Sequence, residues 1–190
     1  MLETIIILVM IGLDQLAKYL TDMYLVPLGT TVPLWKGILH LTSTHNTGAA
    51  FGMLSNGTWL LVIFSSIASI AIAWLLIKYR KLMHPLMRAS LALILAGALG
   101  NLIDRVVLGY VRDMLEFAFM NFAIFNVADT AVSVGAALLA LDVFFGKGKQ
   151  VMELLDEKSS AKKATDKKEE PLNQEPAEPE QNAPGQEEKE

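Results

Sequence analysis

The sequence contains no cysteine and only three histidines among its 190 residues. Without cysteine, the chain cannot form a disulfide, a thiolate metal site or a cysteine nucleophile. The histidines at positions 40, 45 and 84 lack the ligand spacing of motifs such as H-E-x-x-H. We therefore expect no metal site and no cofactor.

Charge is sparse in residues 1–146, which carry eight Lys or Arg and eight Asp or Glu. The whole chain is 53% hydrophobic with a mean hydropathy of +0.40, whereas ordinary soluble domains are about 45–50% apolar. Apolar runs occupy 2–20, 59–77, 89–107 and 127–145, each close to the ~20 residues with which a helix crosses a bilayer. The fold class predicted is a mainly α membrane protein with four transmembrane helices.

The first apolar run is not preceded by Lys or Arg and is not followed by a small-residue cleavage site. These features argue against a cleaved signal peptide, so we expect a retained helix.

Basic residues indicate the orientation of the helices. The connection between the second and third runs holds four of them, whereas the loop 21–58 holds only Lys36. Lys147 and Lys149 follow the fourth run. We therefore predict that both termini are cytoplasmic and that loops 21–58 and 108–126 face outward, together with Asp113 and Asp129.

The outer loop 21–58 contains a β-favouring stretch at 38–44, followed by the glycine-containing segment 46–52. We expect a small extracytoplasmic sheet there. Residues 150–190 are instead rich in Lys, Glu, Pro and Gln, and such a composition cannot bury enough apolar surface to fold. The predicted organisation is a membrane domain at 1–149 and a disordered, charged cytoplasmic tail at 150–190.

Small residues recur on the third and fourth runs, where they would let helix backbones approach closely in lipid. The residues expected at these contacts are Ala96, Gly100, Ala128, Gly135 and Ala136.

Ionisable residues within or at the ends of apolar runs are candidates for function, because charge at membrane depth is costly. Asp14 and Lys18 are four apart on one helix face, where they form either a local ion pair or a support for an active site. Arg105 either extends to lipid headgroups or holds a carboxylate such as Asp104.

Asn126 has the position of a helix N-cap, with Asp129 as the third helical residue. Asp129 is either a capping acid or one member of a catalytic pair with Asp113. Two carboxylates in one site share a proton, so one can act as base and the other as acid in peptide hydrolysis. From the residues alone, the chain is a four-helix membrane protein with an acidic, asparagine-rich cluster at its outer face.

Two other functions compete with peptide hydrolysis. A small carrier or proton relay would distribute its charges through the bilayer and could show an internal repeat. A structural scaffold would leave the Asn and Asp cluster unexplained. The acids cluster at one end, Asp142 excepted, and no half-chain repeat is evident.

Five motifs occur in order along 1–146: DQLAK at 14–18, NTGAAFG at 46–52, GNLIDR at 100–105, VRD at 111–113 and FNVAD at 125–129. With four apolar runs, this set resembles bacterial lipoprotein signal peptidase (signal peptidase II). The resemblance implies an inner-membrane aspartic peptidase that cleaves diacylglyceryl-modified prolipoproteins just before the lipidated cysteine.

The resemblance places the catalytic pair at Asp113 and Asp129. It implies supporting roles for Asp14, Lys18, Asn46, Gly48, Asn101, Asp104, Arg105 and Asn126. It also implies that loop 21–58 lies on the outer leaflet. The expected partners are lipidated prolipoproteins and membrane lipid, without nucleic acid, and we expect a monomer.

This chain departs from the family pattern at two positions. Ala96 precedes Gly97 where a glycine pair is frequent, and Arg112 precedes Asp113 where an apolar residue is common. We expect Arg112 to lower the proton affinity of its neighbour Asp113.

Overall fold

The structure is a computed structural model that describes residues 1–24, 29–48, 58–154, 156–157 and 160. The chain divides into two compact units, 1–153 and 154–190. Most of the predicted disordered tail lies outside the described residues. Residues 148–154 are helical, so regular backbone continues a few residues past position 149.

The described residues contain four long helices, and all four are long and apolar enough to cross a membrane. They are α1 (Leu2–Tyr24), α2 (Thr58–Tyr79), α3 (Pro85–Leu108) and α4 (Val127–Phe145). The predicted four-helix fold is confirmed. Most helix ends extend a few residues beyond the apolar runs, because caps rather than hydropathy end them: α3 begins with a proline and ends at Gly109, whose φ of 83° favours glycine.

A sheet joins the helices at one end of the bundle. Among the described residues it has three antiparallel strands in the order β1 (Thr31–Trp35), β2 (Leu39–Asn46) and β3 (Val111–Phe117). The predicted strand at 38–44 corresponds to β2. Strands β1 and β3 were not predicted. The pairing of β2 with β3 sets Thr44 opposite Asp113, so Asp113 lies within a strand.

Helix α3 is the centre of the bundle and packs against the other three helices. Its contact with α4 is closest at Gly97, where an added Cβ would lie 2.3 Å from the backbone oxygen of Ala128. Of the small residues expected at helix contacts, four are buried as predicted: Ala96, Gly100, Ala128 and Gly135. Ala136 is exposed, so that prediction is wrong. Its neighbour Gly135 occupies the face turned toward α3, where an added Cβ would meet the Ser90 backbone oxygen at 2.8 Å.

Replacing Gly97 with alanine should force α3 and α4 apart. We expect Gly97→Ala to lower the free energy of unfolding by about 3 kcal/mol, the upper end for overpacking. Thermal unfolding of the purified protein in detergent measures the change.

The matched control is Gly12→Ala. Gly12 is exposed on α1, and an added Cβ there would meet no atom within 4 Å. Equal melting temperatures for the two variants would contradict the close α3–α4 contact.

Candidate active site

Asp113 and Asp129 reach the site from different elements. Asp113 lies in β3 and is 3% exposed. Asp129 lies in the first turn of α4, where Asn126 forms the predicted N-cap. The Asn126 side chain accepts a hydrogen bond from the Asp129 backbone N–H at 2.9 Å, and Asp129 Oδ2 accepts one from the Asn126 backbone N–H at 3.1 Å. This capping box fixes the rotamer of Asp129.

Asn126 also binds the other acid. Its fully buried side chain donates from Nδ2 to Asp113 Oδ1 at 2.6 Å. Asn46 donates to the second oxygen of Asp113 at 3.0 Å, and Asn101 donates to Asp129 Oδ1 at 2.7 Å. Each carboxylate is therefore held by asparagine amides, and one residue, Asn126, joins the two.

The two acids line a common cavity of about 510 Å³. Asn46, Asn101 and Arg105 also line it, and the remaining wall is largely apolar. The apolar lining includes Val111, Phe117, Phe122, Ile124, Phe125, Val132 and Val134. The cavity can therefore hold a polar group at the acids beside an apolar chain.

The pKa of Asp113 is raised to about 6, mainly by burial and also by the charge of Asp129, while the Asn46 and Asn126 amides act in the opposite direction. The sequence analysis expected Arg112 to lower this pKa, and the net shift is upward instead. Successive side chains of a strand point to opposite faces. Accordingly, the Arg112 guanidinium points away from Asp113 and binds Asp104.

Arg112, rather than Arg105, holds Asp104. Arg112 donates from Nε to Asp104 Oδ2 at 3.1 Å and from Nη2 to Oδ1 at 2.8 Å, and its backbone N–H donates to Oδ2 at 3.0 Å. The expectation that Arg105 holds Asp104 is wrong, because consecutive helical side chains leave the helix about 100° apart. Arg105 instead lines the cavity and donates to the Gly48 backbone oxygen at 3.2 Å.

Asp14 and Lys18 form the predicted ion pair, with Nζ 2.8 Å from Asp14 Oδ2. Lys18 is fully buried, lies 3.5 Å from Asp104 and donates to Asn101 Oδ1 at 2.9 Å. Asp14 Oδ1 accepts a hydrogen bond from the Ala128 backbone N–H at 2.9 Å. The pair thus contacts both a site asparagine and the first turn of α4.

The structure connects all the predicted site residues through hydrogen bonds and ion pairs. Gly48 joins through its N–H, which donates to Asn46 Oδ1 at 2.9 Å. The connected residues are Asp14, Lys18, Asn46, Gly48, Asn101, Asp104, Arg105, Asp113, Asn126 and Asp129. Residues 49–52 of the second motif lie outside the described residues.

Sequence reasoning missed further residues of this network, including Gln15 and Arg112. Gln15 donates to Asp104 Oδ1 at 3.1 Å and accepts from Arg112 Nη2 at 3.0 Å. Arg112 was identified only as a departure from the family pattern. The available signal for Gln15 was a polar side chain inside an apolar run, next to Asp14.

Comparison with known proteins agrees with the geometry. A family model described as signal peptidase (SPase) II matches residues 6–145. The lipoprotein signal peptidase of Brevibacillus brevis is 47% identical over 138 residues, covering 72% of this chain and 90% of that protein. That of Clostridioides difficile is 42% identical over 149 residues, covering 78% of this chain and 99% of its own length.

Two solved structures, each described as a bacterial membrane enzyme determined by the in meso method, have the same fold. The one at 2.3 Å resolution gives a TM-score of 0.68 at 32% identity, covering 74% of this chain and 86% of the other. The one at 1.9 Å resolution gives a TM-score of 0.67 at 31% identity, covering 75% of this chain and 92% of the other. The family match, these relatives and the four apolar helices place the chain in the signal peptidase II family of multi-pass membrane aspartic peptidases.

Proposed function

We propose that this chain is an aspartic endopeptidase that removes the signal peptide from diacylglyceryl-modified prolipoproteins, cleaving just before the lipidated cysteine. The observation that carries the proposal is the pair of carboxylates, Asp113 and Asp129, that Asn126 joins at the wall of a largely apolar cavity. Such a pair can share one proton, which is the state that acid–base hydrolysis requires.

Asp113 is the proposed acid and Asp129 the proposed base. Asp113 retains a proton until about pH 6, whereas Asp129 lies at the positive end of the α4 dipole and accepts hydrogen bonds on both oxygens. Asp129 removes a proton from water as the water oxygen attacks the scissile carbonyl carbon, and Asp113 protonates the carbonyl oxygen. The tetrahedral diol then collapses: Asp113 takes back a hydroxyl proton, Asp129 protonates the departing nitrogen, and the C–N bond breaks.

The remaining network positions these acids. Lys18 and Arg112 together balance the buried charges of Asp14 and Asp104. Lys18 also orients Asn101, which donates to Asp129. Arg112 ties β3, and hence Asp113, to the end of α3 through Asp104. Because the chain itself supplies both acids and their amide donors, we propose that it acts as a monomer.

The proposed orientation places this site near the outer leaflet, with both termini cytoplasmic. Four basic residues lie in 78–88, at the opposite ends of α2 and α3 from the sheet, as the positive-inside rule requires of a cytoplasmic connection. A lipidated prolipoprotein would present its cleavage site at the outer headgroups, and the apolar cavity wall would accept its acyl chains.

Asp113→Asn and Asp129→Asn should each leave the protein folded but lower cleavage at least about 100-fold, because each removes one proton-transfer group. A gel-shift assay with purified protein and a lipidated prolipoprotein measures cleavage. The matched control is Asp142→Asn in the same helix as Asp129, about 20 Å along the axis. Full activity in either dyad variant would exclude that residue from catalysis.

Asn46→Ala should shift the pH dependence of cleavage. The protonated form of Asp113 is the active form, so kcat/KM falls as the pH rises through its pKa of about 6. Since the Asn46 amide lowers this pKa, its removal should move the alkaline limb of kcat/KM upward by about one pH unit, the equivalent of 1.4 kcal/mol.

Thr31→Ala on the neighbouring strand β1 is the control and should leave the alkaline limb of kcat/KM at the same pH. A limb that is unmoved or shifted downward in Asn46→Ala would contradict the assignment of Asp113 as the acid.

A further inference from the structure

A second cavity lies near the N-terminal end of α1. Helices α1 and α2 both pack on α3, and between them is a cleft of about 430 Å³. Its walls are mainly apolar and include Ile7, Leu76, Ile77 and Leu95. Glu3 and Arg80 also line it. Glu3 is 11 residues before Asp14, about 16 Å along the helix axis, so this cleft is separate from the candidate active site.

The charged residues of the cleft carry excess positive charge. Glu3 is 8% exposed, and its Oε1 lies 3.2 Å from Arg80 Nε and 2.8 Å from Arg88 Nε. Two guanidinium groups and the Met1 amino group, which lies 3.4 Å from Glu3 Oε2, therefore share one carboxylate, and this leaves an excess of positive charge. The Arg80 side chain is half exposed, at 51%, so its outer N–H groups remain accessible to a ligand in the cleft.

Aromatic residues mark the depth of these charges in the membrane. Trp74 and Tyr79 on α2 meet edge to face at 5.6 Å, and Lys78 Nζ lies 4.3 Å from the Trp74 ring centroid. Trp, Tyr and Lys of this kind concentrate at the headgroup level. Arg80 follows Tyr79 directly, so these residues predict that its guanidinium lies at the level of the lipid phosphates and the apolar walls at that of the acyl chains.

We propose that this cleft binds an anionic phospholipid, with the phosphate on Arg80 and an acyl chain between α1 and α2. Basic pockets between transmembrane helices on the cytoplasmic side bind anionic headgroups in this way. A free phosphate would make no contact with the apolar walls. A zwitterionic lipid has no net charge, so the excess positive charge of the cleft would attract it less.

Native mass spectrometry of the full-length protein in neutral detergent tests the proposal. The ligands are phosphatidylglycerol, phosphatidylcholine with the same acyl chains, and inorganic phosphate alone. We expect phosphatidylglycerol to bind about fivefold more tightly than phosphatidylcholine, the effect of one basic residue near a lipid surface. We expect no binding of inorganic phosphate at the same concentrations.

Arg80→Gln should remove this preference while leaving Arg88 to pair with Glu3. Lys81→Gln is the matched control, because it removes the same charge from an exposed residue beside the cleft and should keep the preference. Ala73→Phe fills the cleft without changing its charge and should weaken the binding of both lipids. Equal binding of the two lipids, equal losses in Arg80→Gln and Lys81→Gln, or unchanged binding in Ala73→Phe would each overturn the proposal.

Discussion

The hydrogen bonds of Asn126 determine where both acidic side chains of the site lie. Its backbone N–H and side-chain oxygen fix Asp129 at the start of α4, while its amide nitrogen donates to Asp113 on β3. An unpaired carboxylate at membrane depth is costly. The amide of a neutral residue removes part of that cost without adding a charge, so the two acids can still share a proton. The position of each proposed catalytic group is therefore a consequence of one helix cap.

Next to Asp113 and Asp129, buried side chains of opposite charge pair with one another. Lys18 and Arg112 face Asp14 and Asp104, and every one of these contacts joins two different elements or two turns of α1. Removing one partner of a buried pair leaves an uncompensated charge, which is far more costly than the net value of the pair. The network accordingly resists separation of α1, α3 and β3.

The sequence allowed the helices and most of the site to be predicted, since hydropathy and the Asn126 cap are local signals. Strand β3 could not be predicted because its partner β2 lies about 67 residues earlier in the chain, and pairing at that distance leaves no local pattern. The Arg112–Asp104 bridge was missed for a related reason. It depends on the turn after Gly109, which leads β3 past the end of α3 and so brings Arg112 to Asp104.

The central claim is that Asp113 and Asp129 share one proton below the raised pKa of Asp113, about 6. The most direct test is a pH titration of the purified protein labelled with ¹³C at the aspartate carboxyl carbon, observed by NMR, with Asp113→Asn to assign the signal. The expected result is that the Asp113 carboxyl is protonated at pH 5 and loses its proton through a midpoint near 6. A signal that remains fully ionised down to pH 4.5 would contradict the account.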